Sequence, residues 1–283
     1  MQWSAGDRSN IDDERGQSGG RAIPIGIGGV LLLAVLSWAT GIDYLSLFTD
    51  QGSSPSATAG APSQLNTTPA EERMVDFVDA VAKDVQDMWA QRLGTRYQRT
   101  RVELFRDSID SACGSAQSAT GPFYCPADSK VYLDLGFFRE LAERFGAPGE
   151  FAEAYVIAHE FGHHIQRLLG LHAGALQDSR SGPNSASVGI ELQADCFAGV
   201  WGHTASEHGR AKTGHVELDP GDVEQALRAA ASIGDDRLQK MSTGKVAPER
   251  FTHGTSVQRV GSFRRGMTSG DPRVCESSTH PTQ

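Results

Sequence analysis

The apolar residues of this chain form helical and alternating patterns that begin only after residue 70. Between Met74 and Trp89, apolar side chains recur every three or four residues, the spacing of one helix face. Residues 130–135 alternate polar and apolar side chains, as a half-buried strand does, and residues 96–105 are a second strand candidate. Further helices are predicted near 137–145, 150–169, 187–207, after 219–222 and near 256–267. The pattern predicts an α+β fold that is mostly helical, with a small sheet preceding the helix at 150–169.

An uncharged apolar stretch interrupts an otherwise polar N-terminal region. Residues 1–21 are polar and carry charges of both signs, whereas residues 22–42 contain no charged side chain. A helix of 21 residues is long enough to cross the hydrocarbon core of a bilayer, which is about 30 Å thick. The stretch is therefore predicted to be an uncleaved transmembrane anchor. A cleaved signal peptide is the alternative, because Ser-Trp-Ala at 37–39 fits a small-x-small cleavage site.

The distribution of cations gives this anchor an orientation. Three arginines precede it (Arg8, Arg15 and Arg21), and no Lys or Arg follows it until Arg73. The positive-inside rule then places the N-terminus in the cytoplasm and the rest of the chain outside. The stretch after the anchor is rich in Ser, Thr, Ala, Pro and Gly, which is typical of a flexible linker. The predicted organisation is a cytoplasmic tail at 1–21, a single transmembrane helix at 22–42, a linker at 43–70 and a folded domain at 71–283.

Composition and charge exclude one large class of partners. The content of hydrophobic residues (39%) and of charged residues (22%) is typical of a globular protein. The net charge is −9 and the isoelectric point is about 5.5, whereas a general nucleic-acid-binding protein needs a basic surface. We therefore expect no nucleic-acid partner.

Four cysteines occur in the part of the chain that is predicted to be exported. An even number of cysteines in an exported domain indicates disulfide bonds. Cys113 and Cys125 enclose a short loop and form the favoured pair, which leaves Cys196 and Cys275 as the second pair. Four cysteines allow three pairings, and a thiolate metal site is a further alternative, although the chain contains no Cys-x-x-Cys spacing.

The strongest chemical motif is the pentapeptide HEFGH at 159–163, within the predicted helix at 150–169. Residues four apart face the same way on a helix, so His159 and His163 can offer two imidazoles to one metal ion. Glu160 is adjacent to this face, where its carboxylate can reach a water molecule on the metal. The motif predicts a zinc site, although an exposed helix with two histidines is the simpler alternative.

A catalytic zinc site needs a third protein ligand and leaves one position for water. The predicted helix at 187–207 carries Glu191 and Asp195 four residues apart, on an otherwise largely apolar helix. Two carboxylates on such a helix are costly unless they pair with cations or a metal. Glu191 is therefore the candidate third ligand. Asp195 is expected to accept a hydrogen bond from the outer nitrogen of a ligating histidine. Two solvated surface acids are the alternative.

The two motifs together resemble those of a known class of enzymes. A helix with HExxH followed by a second helix with Glu-x-x-x-Asp resembles the gluzincin arrangement of thermolysin-like metallopeptidases. The longer strings are similar to those of the putative neutral zinc metallopeptidases of bacteria, the YpfJ-like family. The shared strings, which cover essentially the whole chain, are an MQW…DRSNIDDERG-like start, CGSAQSATGPFYCPADSKVYLDLGFF, HEFGHHIQ, ELQADCFAGVW and FTHGTSVQR.

The resemblance implies a zincin-like domain and a membrane-anchored, extracytoplasmic zinc protease that acts on proteins or peptides at the bacterial cell membrane. It assigns one zinc ion to His159, His163 and Glu191, and it assigns the catalytic acid/base role to Glu160. Peptide bonds would then be hydrolysed by a zinc-activated water, with Glu160 as the general base.

Other residues are weaker candidates for the site. His253 is the candidate second donor to the oxyanion, although a structural role near the start of the last helix is equally consistent with its position. Tyr155 is a weaker candidate for the same role. The strand at 130–135 is expected to offer its edge to an extended substrate. His164 is expected at the surface or beside a ligand, and four further histidines are expected in solvent: His172, His203, His208 and His215.

Other classes of function stay open at the level of the sequence. One is a catalytically silent zinc-binding scaffold at the cell envelope, and another is an envelope-binding domain without metal in which HExxH is accidental. Glu160 argues against the scaffold, because structural zinc has no use for this carboxylate and usually has four protein ligands. A hydrolase that acts on a non-peptide substrate with the same chemistry is also open.

Overall fold

Long helices account for most of the fold, and a small sheet precedes the motif helix. The computed structural model describes residues 1–16, 65–117, 121–171 and 181–279. Its helices are α1 (Pro69–Leu93), α2 (Gly136–Glu143), α3 (Glu150–Leu169), α4 (Ala186–Ala205), α5 (Asp222–Ser232), α6 (Asp235–Thr243) and α7 (Ser256–Ser269). Its strands are β1 (Ile11–Asp13), β2 (Val102–Phe105), β3 (Ser108–Ser111), β4 (Gly114–Gln117), β5 (Phe123–Cys125) and β6 (Lys130–Asp134). The prediction of a mostly helical α+β fold is confirmed.

The main sheet contains four of these strands in the order β1-β2-β6-β5. Strands β1, β2 and β6 run parallel, and β5 runs antiparallel to β6. Strands β3 and β4 form a separate antiparallel hairpin. The prediction that residues 130–135 offer a free edge to substrate is wrong, because β6 is hydrogen-bonded to β2 on one side and to β5 on the other. Among the strands of this sheet, β5 is the terminal strand on that side.

The first sixteen residues belong to the folded domain. Strand β1 pairs with β2 in register Ile11 to Val102, and Ile11 is buried in the main hydrophobic core. The indole of Trp3 packs edge-on against Phe77 of α1, with ring centroids 5.4 Å apart. The prediction that residues 1–21 form a separate tail is therefore wrong for residues 1–16. A strand of three residues is too short to show a periodicity in sequence.

The predicted anchor and most of the predicted linker lie outside the described residues. In the part of the chain that the structure describes, no helix is long and apolar enough to cross a membrane. Helix α1 starts at Pro69, two residues before the predicted start of the folded domain. Thr68 is its N-cap, and the Thr68 side chain accepts a hydrogen bond from the backbone of Glu71.

A core substitution in β1 tests whether this strand contributes to the stability of the domain. Ile11→Ala is expected to lower the free energy of unfolding by about 2–5 kcal/mol, because it removes buried methyl groups and leaves a cavity. Chemical denaturation of the full chain measures the change. Ser4→Ala, at an exposed position of the same segment, is the control and is expected to change stability by less than about 0.5 kcal/mol. Equal stability of the two variants would contradict the placement of β1.

Helix α4 is the central element of the helical layer and packs against both α3 and α7. Its backbone approaches α7 so closely that a Cβ at Gly199 would lie 2.1 Å from the carbonyl oxygen of Phe263, and a Cβ at Gly266 would lie 2.0 Å from that of Cys196. Any larger residue at either glycine would force the helices apart. The position of α4 is therefore determined by backbone contact.

Two disulfides complete the fold. Cys113 is bonded to Cys125, and Cys196 of α4 is bonded to Cys275 in the C-terminal 3-10 helix (Pro272–Thr279). Both predicted pairs are confirmed, and all four thiols are thereby unavailable as metal ligands. The second disulfide ties the C-terminal segment to the helix that carries Glu191.

Candidate active site

Helix α3 presents two imidazoles one turn apart. The helix is capped at its C-terminal end by Gly170, which adopts the left-handed conformation at φ 72°. His159 is buried, and its ring lies edge-on to that of His163, with centroids 4.9 Å apart. The α-helical spacing of four residues therefore aims both side chains at one point.

Helix α4 brings a carboxylate to the same point. The Nε2 atom of His159 lies 3.2 Å from Oε2 of Glu191, and Nε2 of His163 lies 3.6 Å from Oε1. One ligand atom from each of these three residues lies within 4.8 Å of the other two. Two imidazole nitrogens and a carboxylate are a donor set that catalytic zinc uses, so the residues present fit the ion.

A glycine within the pentapeptide allows this approach. A Cβ at Gly162 would lie 3.0 Å from the Cα and carbonyl oxygen of Ala194, so the backbones of α3 and α4 are in direct contact. Glu191 and Asp195 flank this crossing point on α4 and therefore face His159. The Gly in HEFGH thus has a packing role in addition to the chemical role of its neighbours.

Asp195 supports His159 from behind. Its Oδ1 accepts hydrogen bonds from Nδ1 of His159 at 2.8 Å, from the hydroxyl of Tyr155 at 2.5 Å and from Nη2 of Arg259 at 2.8 Å. Its Oδ2 accepts a further bond from Nε of Arg259 at 2.9 Å. The bond to Nδ1 orients the imidazole of His159 so that Nε2 faces Glu191 and the position of the ion.

The charges around His159 favour a cation. Burial disfavours its protonated form, but the carboxylates of Asp195 and Glu191 outweigh this effect and raise the pKa of His159 to about 10. Although burial opposes ionisation of Asp195, Arg259 and His159 lower its pKa to about 2. The imidazoles of His163 and His159 likewise hold the pKa of Glu191 well below its usual range, against the effect of burial. A site with two ionised carboxylates around an imidazole is suited to a divalent cation.

A chain of amides orients the second imidazole. Nδ1 of His163 lies 2.8 Å from Oε1 of Gln166, one turn further along α3. The amide nitrogen of Gln166 donates to the backbone oxygen of Ile190 and to the side chain of Gln193 on α4. Gln193 donates in turn to the backbone oxygen of Cys275. His163 is thereby linked to the segment that the second disulfide holds.

Glu160 and the three candidate ligands line one cavity of about 540 Å³. Glu160 is 7% exposed and follows His159 directly, so its carboxylate borders the space beside the imidazoles. Residues 121–124, which are the first two residues of β5 and the two before them, form part of the wall. The apolar lining consists mainly of Phe123, Phe137, Phe145, Val156, Ile233 and Leu238.

His253 lies at the same cavity and is held by an aspartate. Its Nδ1 atom lies 3.2 Å from Oδ1 of Asp235, the first residue of α6. Oδ2 of Asp235 accepts backbone hydrogen bonds from Thr252, His253 and Gly254 at 2.7–3.0 Å. The hydrogen bond between the His253 side chain and Asp235 raises the pKa of His253, against partial desolvation of the half-exposed imidazole, and Glu191 adds to the increase. The arrangement favours an imidazolium facing the cavity.

The sequence motifs do not contain several residues of this site. Arg259 and Asp235 were not predicted, and only the geometry reveals their contacts with Asp195 and His253. Tyr155, a weak candidate for the oxyanion donor, is fully buried and donates its hydroxyl to Asp195. We therefore assign Tyr155 to the support of His159.

Three further histidines, His164, His203 and His215, are held within the fold rather than in solvent. His164 is buried and hydrogen-bonded through both ring nitrogens within the fold. His203 and His215 are only partly exposed and are bonded to partners within the domain at 2.8 and 2.9 Å. The expectation is correct for His208, whose side chain is 97% exposed. His172 lies outside the described residues.

The site combines two imidazoles, a carboxylate and an adjacent glutamate in one cavity. This set of residues matches that of the zinc sites of hydrolases. The whole chain supports the same classification. It belongs to the family described as "putative neutral zinc metallopeptidase", whose model matches residues 1–278. At the level of its family, the chain is therefore classified with the zinc peptidases.

Similar proteins cover most of the chain. The "Uncharacterized protein YpfJ" of Escherichia coli K12 is 42% identical over 294 aligned positions, which cover 98% of each chain. The "Uncharacterized protein Rv2575" of Mycobacterium tuberculosis H37Rv is 43% identical over 220 positions, which cover 76% of this chain and 74% of that protein. No solved structure matches the chain.

Proposed function

We propose that this protein is a gluzincin-type zinc peptidase of the cell envelope that uses Glu160 as its general base. The observation that supports this most directly is the meeting of His159, His163 and Glu191 beside Glu160 in one cavity. A purely structural zinc site would have no use for Glu160 and usually has a fourth protein ligand. The family assignment supports the same reading.

Each residue of the site has a separate role in the proposed reaction. Zinc, when held by His159, His163 and Glu191, supplies a Lewis acid that makes water nucleophilic near neutral pH and polarises a carbonyl group. Glu160 takes the proton of the attacking water and passes it to the leaving amine. Asp195 keeps the imidazole of His159 oriented throughout.

His253 would stabilise the negative charge that develops on the carbonyl oxygen. Its Nδ1 is engaged with Asp235, so Nε2 is the atom left to donate a hydrogen bond into the cavity. An imidazolium is a stronger donor to an oxyanion than a neutral imidazole is. Asp235 would therefore act through His253 as a positioning residue.

The cavity and the neighbouring strand suit an extended peptide with a large apolar side chain. The wall is mainly aromatic and aliphatic, and a space of about 540 Å³ accommodates an aromatic or branched aliphatic group. Strand β5 ends the main sheet next to this wall. A substrate backbone that pairs with β5 would lie across the site, in the manner of strand addition.

The two disulfides support a location outside the cytoplasm. Cytosolic thiols are kept reduced, whereas exported domains retain disulfides. The uncharged stretch at 22–42 supports an association with the cell membrane. Together these features favour an envelope peptidase over a cytosolic one.

Metal analysis of the full chain, purified without a histidine tag, tests this function. We expect about one zinc ion per chain, hydrolysis of an unfolded protein such as casein, loss of hydrolysis with a chelator and recovery on adding zinc. Glu191→Ala is expected to hold far less than one equivalent of zinc, because only two ligands remain. Glu207→Ala, exposed just beyond the end of α4, is the control and should retain the metal. Zinc without hydrolysis would favour the non-catalytic scaffold.

The activity is expected to fall at alkaline pH when His253 loses its proton. Because the Asp235 hydrogen bond raises the pKa of His253 above the usual value near 6.5, the imidazolium persists up to that higher pKa. Asp235→Asn is expected to lower this pKa and to move the alkaline limb of the kcat profile to lower pH. The control is the same substitution in a His253→Ala background, where no shift is expected. If the alkaline limb of the kcat profile is at the same pH in Asp235→Asn as in the wild type, His253 has no role in the mechanism.

A further inference from the structure

Ion pairs join the part of the chain before residues 17–64 to the part that follows them. The buried guanidinium of Arg15 lies 3.0 Å from the carboxylate of Glu71 and 3.0 Å from that of Glu72, in the first turn of α1. These three residues form what we call the entry cluster. Residue 16 is the last described residue before the segment 17–64, and α1 begins at Pro69, five residues after that segment ends. The described residues before this segment are therefore in direct contact with the start of α1.

The residues before this segment are bound to the domain by buried contacts. The side-chain amide of Asn10 donates to Asp79 of α1 at 3.0 Å, and both residues are buried. Gln86 of α1 donates to the amide oxygen of Asn10 at 2.9 Å. Strand β1 adds its backbone hydrogen bonds to β2. Buried polar groups that pair across these elements would be left unsatisfied if the first sixteen residues lay elsewhere.

Two of the arginines that suggest a cytoplasmic N-terminus form ion pairs with the domain. Arg8 lies 2.6 Å from Glu72 and 2.7 Å from Asp76, and Arg15 pairs within the entry cluster. The carboxylates of α1 thus pair with Arg8 and Arg15. The positive-inside rule would place these two arginines on the opposite side of the membrane from α1. The ion pairs of Arg8 and Arg15 with α1 can form only if the two parts of the chain are in the same compartment.

The sequence between the two parts offers one apolar stretch long enough to span a bilayer, not two. Residues 22–42 are uncharged, whereas residues 43–64 contain Asp43 and Asp50 among many Ser, Thr, Pro and Gly residues. A single crossing would place β1 and β2 on opposite sides of the membrane, where they cannot pair. A return crossing would need a second apolar stretch.

We propose that residues 1–16 lie on the same side of the membrane as the catalytic domain, so that the chain between them and α1 makes no single crossing of the membrane. This arrangement replaces the single-pass orientation that the cation distribution predicts. It does not depend on zinc or on peptidase activity.

Labelling of single introduced cysteines in the full chain tests the proposal in spheroplasts. Ser4→Cys reports on the first sixteen residues, and Lys245→Cys, at an exposed position after α6, reports on the catalytic domain. We expect a membrane-impermeant maleimide to label both to the same extent before the membrane is permeabilised. The unsubstituted chain, whose four cysteines are in disulfides, is the control for background labelling.

The outcomes separate this proposal from the proposed function. Labelling of Ser4→Cys only after permeabilisation, with Lys245→Cys labelled before it, would overturn the shared compartment. Labelling of both only after permeabilisation would support the shared compartment and would instead contradict the location of the peptidase outside the cytoplasm.

A cross-link between β1 and β2 provides a direct second test. Asp12 and Glu103 are paired in the parallel register, and Nζ of Lys130 contacts both carboxylates, so the two side chains share one face. Neighbouring strands lie about 4.8 Å apart, within the range that a disulfide spans. The double variant Asp12→Cys/Glu103→Cys is expected to oxidise within one chain in the membrane. Two free thiols there, beside intact native disulfides, would overturn the proposal, and each single variant serves as a control.

Discussion

Replacement of Glu160 by Gln is expected to lower kcat for peptide hydrolysis by about 10²–10⁴-fold while zinc remains near one equivalent. The amide keeps the size of the side chain but cannot accept a proton from water. The three candidate ligands are unchanged, so the metal content should be unaffected. Steady-state kinetics on a fluorogenic peptide, together with metal analysis of the same sample, measures both quantities.

Glu153 provides a matched control on the same helix. It lies two turns before Glu160, borders a different cavity and is partly buried. Burial, together with repulsion from Glu150, raises the pKa of Glu153 to about 7, so it is a second unusual carboxyl group on this helix. Glu153→Gln is expected to retain wild-type kcat. Comparable losses in both variants, or full activity in Glu160→Gln, would remove Glu160 from the role of general base.

Replacement of Arg259 by Gln is expected to lower the free energy of unfolding by about 3–5 kcal/mol. The substitution leaves the ionised carboxylate of Asp195 buried without its cation, and the loss of one partner of a buried ion pair typically has this cost. It should also weaken zinc binding about 10–100-fold, because Asp195 would orient His159 less firmly. Chemical denaturation and competition with a zinc chelator measure the two effects.

Two further variants separate this role from a general effect of charge. Arg264→Gln removes an exposed arginine from the same helix and is expected to change stability by less than about 0.5 kcal/mol. Arg259→Lys keeps the charge but cannot form the two parallel bonds to Asp195, so it should restore only part of the zinc affinity. Wild-type zinc affinity in Arg259→Gln would show that Asp195 positions His159 without help.

The parts of the molecule that local patterns determine could be predicted from the sequence. Helix α3 follows from its helix-forming residues and its terminal glycine, and the convergence of His159, His163 and Glu191 follows from spacings of four residues on two helices. Both disulfides follow from an even number of cysteines and a short loop. These features depend on residues close together in sequence or on a strong chemical requirement.

The parts that depend on distant contacts could not be predicted in this way. Arg259 lies in a polar stretch that is typical of an exposed helix, and it becomes buried only because Gly199 and Gly266 let α7 approach α4. Asp235 is one of two consecutive aspartates at the start of α6, and its contact with His253 depends on how the preceding loop folds. Strand β1 has three residues and acquires its structure from β2.

The side-by-side placement of Arg15 and the first turn of α1 also affects how a soluble form of the protein is best produced. Truncation before residue 65 would remove the apolar stretch, but it would also strip β1 from β2 and leave an unpaired strand edge that invites aggregation. Joining residue 16 to residue 65 through a short Gly-Ser linker would remove the same stretch and keep the strand. The internal deletion is therefore the form suited to purification and crystallisation.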